Sequence, residues 1–365
     1  MIPGLSRGIS RLLAAVLLAF PAGAGSFSAC AGATYYVATD GSDSSGNGSI
    51  AQPWATIDHA VGEASDGSLI LVRPGLYEGR VRLRGVFDQG ITVRSEIPYL
   101  AKLRHSGIVV SCYEGIGIAF EGFDVAHSGP GADPLVMHIS DAIGDAGGDE
   151  YVSRISIRNN VLHDSYNNDI LKINNGCGDV LVEGNLFYNQ TGSDEHIDAN
   201  SVADVVIQDN IFMNDFSGSG REHQSTNSFI VIKDSNGDSD GRLGSERVTV
   251  RRNVFLHYEG GSGNGFVRTG EDGTANFEAK HVLIENNLMI GNNTDKLRSP
   301  FQFWGVQDVT ARANTVIGNM PANEFGMRFG AYESNPDNDG LHLHNNIWAD
   351  PTGSMGEDFI QGLFQ

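Results

Sequence analysis

Short runs of alternating β-formers recur along the chain, each followed within a few residues by an asparagine and a second apolar run. Ile155-Ser156-Ile157 leads to Asn160-Val161-Leu162, Val180-Leu181-Val182 to Asn185-Leu186-Phe187, and Val205-Val206-Ile207 to Asn210-Ile211-Phe212. The unit returns as Val248-Thr249-Val250 with Asn253-Val254-Phe255, Val282-Leu283-Ile284 with Asn287-Leu288-Met289, and Val309-Thr310-Ala311 with Asn314-Thr315-Val316. Leu341-His342-Leu343 with Asn346-Ile347-Trp348 closes the series. The closest repeats are roughly 25 residues apart, a solenoid period, and the longer gaps hold Gly-, Ser- and Asp-rich insertions that read as loops. Strands this short cannot bury a face alone, whereas stacked coils bury a continuous core, so the pattern predicts an all-β, right-handed parallel β-helix. Asparagine at the corner tolerates the left-handed backbone, and identical corners stack so that side-chain amides can bond from coil to coil. A buried amide ladder, with no catalytic role, is the expectation for this series.

Ahead of the repeats, Tyr35-Tyr36-Val37 reads as a strand, residues 40–49 as a polar loop, and residues 56–61, after Pro53-Trp54, as a short N-terminal capping helix over the open end of the solenoid. Leu69-Ile70-Leu71-Val72, followed by Pro74-Gly75 and Tyr77, resembles the opening of many secreted β-helix proteins that act on polysaccharides.

The first residues carry Arg7 and Arg11, an apolar run over 12–20, and the small residues Ala22-Gly23-Ala24 and Ala31-Gly32-Ala33. This is the order of a secretory signal. Residues 1–33 are expected to be a signal peptide cleaved after Ala24 or Ala33, and residues 34–365 a single secreted domain, periplasmic or extracellular. The apolar run is too short to span a bilayer, so no membrane insertion is expected. Cys112 and Cys177 are left in the mature chain, paired or simply buried, and no Cys-x-x-Cys site accompanies them.

Hydrophobic residues make up 40% of the 365 and charged residues 19%, enough to build a large core. The 45 acidic and 24 basic side chains give a formal net charge of −21. That balance argues against nucleic acid or an anionic membrane as partner, since both need a basic footprint. An acidic protein that takes a polyanion must gather its few cations in one groove or recruit a metal ion between carboxylates.

Registering the coils by their inward apolar residues brings such cations together. Leu171 and Ile173 inward put Lys172 outward; Ile197 inward puts His196 and Asp198 outward; Ile232 inward puts Val231 and Lys233 outward. Arg268 follows beside Val267, Gln302 between Phe301 and Phe303, and Arg328 between Met327 and Phe329. The expected outward column is Lys172, Asp198, Lys233, Arg268, Gln302 and Arg328, with coils about 4.8 Å apart. Asp169, Asp194, Glu195, His196, Tyr258 and Arg298 flank it.

Lys233-Asp234-Ser235, Asn253-Val254-Phe255 and Val267-Arg268-Thr269-Gly270 resemble the Lys-Ser, Asn-Thr-Phe and Leu-Arg-His-Gly succession of the alginate lyase and chondroitinase B family of polysaccharide lyases. The resemblance implies Lys233 as base and Arg268 as the acid or its support. It also implies Ca2+ held by acidic residues shortly before the lysine. Here Thr226 and Ser228 stand at those positions, and Thr269 stands where the family has His. The nearest carboxylates, Asp169, Glu195 and Asp198, would make a displaced metal site.

Elimination at a uronic acid removes the C5 proton, which is feasible only where the adjacent carboxylate is neutralised by cations or a metal. Lys233, flanked by Arg268 and Lys172, is expected to have a lowered pKa and act as base. Arg268, Tyr258 or His196 would stabilise the carboxylate or protonate the leaving O4, with Lys172, Arg298, Gln302 and Arg328 binding neighbouring sugars. The expected partner is an acidic polysaccharide, and the chain is expected to work as a monomer. Three alternatives stay open: a uronate C5-epimerase, suggested by Asp194-Glu195-His196-Ile197-Asp198; a glycoside hydrolase using Asp169, Asp194 and Asp198; and a non-catalytic glycan-binding protein.

Overall fold

The computed structural model describes residues 32–141, 152–190, 194–222, 226–260, 264–293, 295, 297–319, 326–349 and 360–361. The expected leader therefore lies outside the described residues, apart from Gly32 and Ala33.

Among the described residues the strands form one sheet of twenty and one of ten, with parallel pairing between successive coils. The larger sheet makes two faces of the solenoid, because Val81–Ser95 and Val110–Glu121 run through the corner between them. Beyond that corner the first face carries Met137–Ser140, Leu171–Asn174, Ile197–Asn200, Ile230–Lys233, Val267–Thr269, Phe301–Trp304 and Met327–Gly330. The second carries Ser153–Arg158, Gly178–Glu183, Ala203–Gln208 and the coils that follow. The ten-stranded sheet, including Val161–His163, Leu186–Tyr188 and Ile211–Met213, closes the third side. The fold is a right-handed parallel β-helix, as the repeat predicts. Its alternate residues, such as Leu171 and Ile173 or Phe301 and Phe303, fill a continuous core in which Phe187, Phe212 and Phe255 stack from coil to coil at 5.0 Å.

The N-terminal end is closed by the helix Ile57–Glu63, which buries Ile57, Ala60 and Val61; the Thr56 side chain caps it by accepting the His59 N–H. Cys112 and Cys177 are buried and unpaired. No described helix is long and apolar enough to cross a membrane.

The asparagine ladder forms as expected, with one correction. From Asn160 through Asn185, Asn210, Asn253, Asn287 and Asn314 to Asn346, each asparagine before the last passes an Nδ2–H to the Oδ1 of the next. Each Oδ1 also accepts the backbone N–H of the preceding ladder residue, and each Nδ2 donates its second proton to a main-chain carbonyl one coil back. The left-handed backbone, however, belongs to the residue before each ladder asparagine: Asn159, Gly184, Asp209, Arg252, Asn286, Ala313 and Asn345 all have φ between 53° and 69°. Arg252 and Ala313 have no side-chain reason for that conformation, so the turn is imposed by the amide bonds it allows.

Asn210→Ala would orphan the Asn185 N–H and one Asn185 Nδ2–H and take one bond each from the Asn253 Oδ1 and the Val182 carbonyl; each buried orphan is worth about 1–3 kcal/mol. The expected loss of stability is about 3 kcal/mol or more. Asn346→Ala, at a half-buried end of the ladder, should lose less than half as much; chemical denaturation of both variants checks the ratio.

Candidate active site on the first sheet face

Strand pairing sets the outward side chains of the first face in columns. One reads Ser111, His138, Lys172, Asp198, Val231, Arg268, Gln302 and Arg328. Its neighbour reads Ser140, Asn174, Asn200 and Lys233. Lys233 points outward as expected but stands one column over, because Ile230 and Ile232 stack on Ile197 and Ala199 and so bring Val231 opposite Asp198. The side chain still returns to the cluster. Its Nζ lies 2.8 Å from Glu271, 3.4 Å from Asp272 and 3.8 Å from Asp198.

Lys172 donates to Asp198 Oδ2 at 2.5 Å and stands 3.7 Å from Asp169 Oδ2. Arg268 pairs with Glu271 at 2.6 Å, donates from Nε to the Gly270 carbonyl, and lays its guanidinium 4.2 Å from the Trp304 ring centre. Glu271 comes within reach because the chain turns sharply at Gly270, whose φ is 81° and where a Cβ would meet the Trp304 carbonyl oxygen at 1.7 Å. The buried Glu278 carboxylate holds that turn by accepting the N–H groups of Glu271, Asp272 and Gly273. Asn227 then links the two halves of the site, donating to Glu271 at 3.0 Å and to Glu195 at 2.5 Å.

Asp169, Glu195 and Asp198 are nearly sealed, at 1%, 3% and 1% exposure, with ligand-capable oxygens within 4.8 Å of one another. Asp169 Oδ2 and Asp198 Oδ1 accept no hydrogen bond. Buried, unpartnered carboxylate oxygens of this kind suit a hard, oxygen-seeking cation, so these residues fit Ca2+. Lys172 and Lys233 already stand against the same carboxylates, however.

The protonation states follow from this crowding. Burial and the neighbouring Asp198 charge push Asp169 up to about 6. Burial, then Asp169 and Glu271, raise Glu195 well above the usual carboxylate range. Burial alone would depress Lys233, but Asp198, Glu271 and Glu195 outweigh it and hold the ammonium far above an ordinary lysine. This reverses the lowered pKa expected from Arg268 and Lys172, since three carboxylates stand within 3.8 Å of the Lys233 Nζ. Burial opposes ionisation of Glu271, yet Arg268 and Lys233 keep its pKa low.

Several expected site residues lie elsewhere. His196 is fully buried, stacked 4.3 Å from Phe229 with Nε2 bonded to Asn214, and burial pushes its pKa down to about 3. It precedes the strand Ile197–Asn200, where the in-out alternation has not yet begun. Tyr258 is likewise in the core against Phe229 and Phe266, its hydroxyl donating to the Asn227 carbonyl at 3.0 Å. Neither faces the groove. Arg298 is exposed on the turn before Phe301–Trp304, outside both columns. Gln302 is in the first column but fully buried, with neither amide atom hydrogen-bonded, and Arg328 lies 5.4 Å from Trp304. Thr269 points inward and donates to the Gln302 carbonyl. Glu271, Asn227 and Trp304 were not anticipated. Trp304, two residues beyond Gln302, was readable from the alternation, whereas Glu271 and Asn227 lie in loops with no periodic signal.

Neither a family model nor a curated protein matches the sequence. Among solved structures, the chain is similar to an alginate lyase from Paenibacillus sp. strain FPU-7, at 17% identity and a TM-score of 0.59, over 90% of this chain and 99% of that one. A pectate lyase aligns at 16% identity over 88% of this chain and 79% of its own, with a TM-score of 0.44. A mannuronic acid specific polysaccharide family 6 lyase from human gut microbiota aligns at 14% identity over 91% of both chains, with a TM-score of 0.42. At these identities the likeness to the Paenibacillus protein speaks for the fold, which the two share almost from end to end.

Because Asp169 and Glu195 hold protons in the fold that exposed carboxylates would release, their contribution is most favourable at low pH and declines as pH rises through about 6. Glu195→Gln should therefore gain stability relative to the parent as pH rises from about 5 to about 8, read as the difference in melting temperature. Asp198→Ala leaves two lysines without their shared carboxylate and should cost about 3–5 kcal/mol.

Proposed function

We propose that the first sheet face cleaves a uronic-acid-containing polysaccharide, of the alginate, pectate or glycosaminoglycan kind, by β-elimination. The observation that carries this reading is the convergence of Lys172, Lys233 and Arg268 on one cluster of carboxylates in a chain of net charge −21. In the resting site the two most accessible partners of these cations are carboxylates of Glu271 and Asp272. A uronate carboxylate entering the site would exchange with Glu271 on Arg268 and Lys233, one anion for another. The two cations then offset the charge that develops on that carboxylate as C5 loses its proton.

The carboxylates around Lys233 keep it protonated, so it is not available as the base. We assign it to protonate the departing O4, and assign Glu271, ionised and freed by the exchange, to take the C5 proton. Asp169, Glu195 and Asp198 would be the residues to hold Ca2+, which when bound would supply further positive charge to the site. The hydrolase alternative is weaker: Asp169 and Asp198 are buried and held by lysines, and they lie closer together than the ~5–5.5 Å of a retaining pair. An epimerase would use the same groups, returning a proton to C5 in place of breaking the bond.

Alginate, pectate and chondroitin should be offered to the protein with and without Ca2+, with ultraviolet absorbance following the new C4–C5 double bond. The expected result is absorbance on at least one polymer, reduced about a hundredfold or more by Lys233→Ala, Arg268→Ala and Glu271→Gln. A stereochemical change without absorbance would transfer the site to an epimerase, and new reducing ends without absorbance to a hydrolase. Silence in all three assays would leave a binding protein.

A further inference from the structure

The same pleat that gathers Lys172 and Arg268 gathers a second set of cations near the N-terminal end of the face. Val81 and Leu83 point inward, at 7% and 1% exposure, so Arg80, Arg82 and Arg84 leave on the outer side. On the next coil Val110 and Cys112 point inward and Ser111 and Tyr113 outward. These three arginines, with Ser111, Tyr113 and Glu114, line an open cleft of about 240 Å³.

The cleft is held in shape. Arg80 donates from Nε to Ser111 Oγ at 3.0 Å and stands 5.0 Å from the Tyr113 ring centre, leaving its outer N–H groups for another acceptor. The Tyr113 hydroxyl lies 2.9 Å from His138 Nδ1, and His138 Nε2 lies 2.9 Å from Asn174 Oδ1. Since Asn174 Oδ1 can only accept, His138 carries its proton on Nε2 and receives the Tyr113 hydroxyl on Nδ1. Arg82 pairs with Asp58 of the capping helix at 3.0 Å, and Arg84 is exposed, with no ion pair or side-chain hydrogen bond to any of the described residues. Arg82 is paired in register with Ser111, and Ser111, His138 and Lys172 follow on successive coils. The cleft is thus three coils, about 14 Å, along the groove from Lys172.

We propose that this cleft is a distal anion subsite, taking a carboxylate or sulfate of an acidic saccharide several sugars away from the Lys172–Arg268 cluster and so favouring long chains. The inference rests on the reading of this face as a polysaccharide groove. A chain of net charge −21 repels a polyanion wherever local cations do not offset it. With Arg82 already paired to Asp58, Arg80 and Arg84 outnumber the single lining carboxylate of Glu114 and provide that offset at the far end of the face.

Calorimetric titration in a Lys233→Ala background, so that no ligand is consumed, would use alginate and pectate oligosaccharides from disaccharide to octasaccharide and the matching chondroitin sulfate series. Affinity should step up once the ligand spans both sites. Adding Arg80→Ala and Arg84→Ala should lower affinity for long ligands about tenfold and leave the disaccharide unchanged. A step with all three series identifies carboxylate as the group bound, and a step with chondroitin sulfate alone identifies sulfate. Arg84→Glu alone in the Lys233→Ala background, at a side chain exposed to solvent, should reproduce the effect if the double arginine variant is poorly folded. Equal length profiles with and without the arginines would overturn the subsite. A length step without elimination activity would retain it and discard the proposed reaction, activity without a step would do the reverse, and no saccharide binding at all would overturn both.

Discussion

Stacking of coils in register is the constraint on which the rest of this molecule depends. The amide ladder enforces it: each asparagine within the ladder ties its own coil to the coils before and after it, through both side-chain atoms and through the main chain. The left-handed residue ahead of each asparagine costs roughly 1–2 kcal/mol where no glycine relieves it. The chain accepts that cost even at Arg252 and Ala313, because several buried hydrogen bonds depend on the turn. With the corners fixed, a register slip would turn every inward residue outward.

Register in turn dictates the electrostatics of the first face. Coils about 4.8 Å apart place side chains of one column at distances where like charges repel by about 4 kcal/mol at an effective dielectric constant of about 20. Asp198 between Lys172 and Lys233, and Glu271 between Lys233 and Arg268, relieve that repulsion. The carboxylates then crowd one another below the lysines, and Glu195 keeps its proton. The result is a set of cations already in place and desolvated, neutralised by carboxylates of which Glu271 and Asp272 are the more exposed. A uronate that displaces Glu271 from Arg268 and Lys233 would meet cations already in place and desolvated, which is how a strongly acidic protein can admit an anion.

The solenoid was legible in the sequence because its signal is local and repeated: each coil carries its own alternation and its own asparagine. The outward direction of Lys172, Asp198, Lys233, Arg268 and Arg328 was legible for the same reason. Alternation gives the side of the sheet on which a residue lies but not where its strand begins, and this is why Lys233 stands one column from its expected place. It also fails just outside a strand. His196 and Tyr258 look like groove residues when the period of two is extended past the strand end, yet the chain is turning a corner there and aims both rings into the aromatic core. Glu271 and Asn227 come from loops, whose reach depends on Gly270 and Glu278 and leaves no periodic trace. Arg80, Arg82 and Arg84 follow the same alternation through Val81 and Leu83, but they lie ahead of the asparagine repeats and so outside the coils whose register that series marks.

A shared fold leaves the chemistry open, since one scaffold hosts many reactions. What narrows it here is the order of proton affinities within one cluster. Beside other cations alone, Lys233 would lose its proton easily and suit the role of base. Among Asp198, Glu271 and Glu195 it holds that proton tightly, while Arg268 and Lys233 together keep Glu271 ionised. The same lysine and arginine that suggest a lyase thus take roles set by the carboxylates around them. Entry of a uronate would alter both at once: Glu271, released from its cations, gains basicity, and Lys233 keeps a carboxylate beside it and remains an ammonium. Acid and base would then be created by the binding step itself, with the substrate's own carboxylate as the group that switches them on.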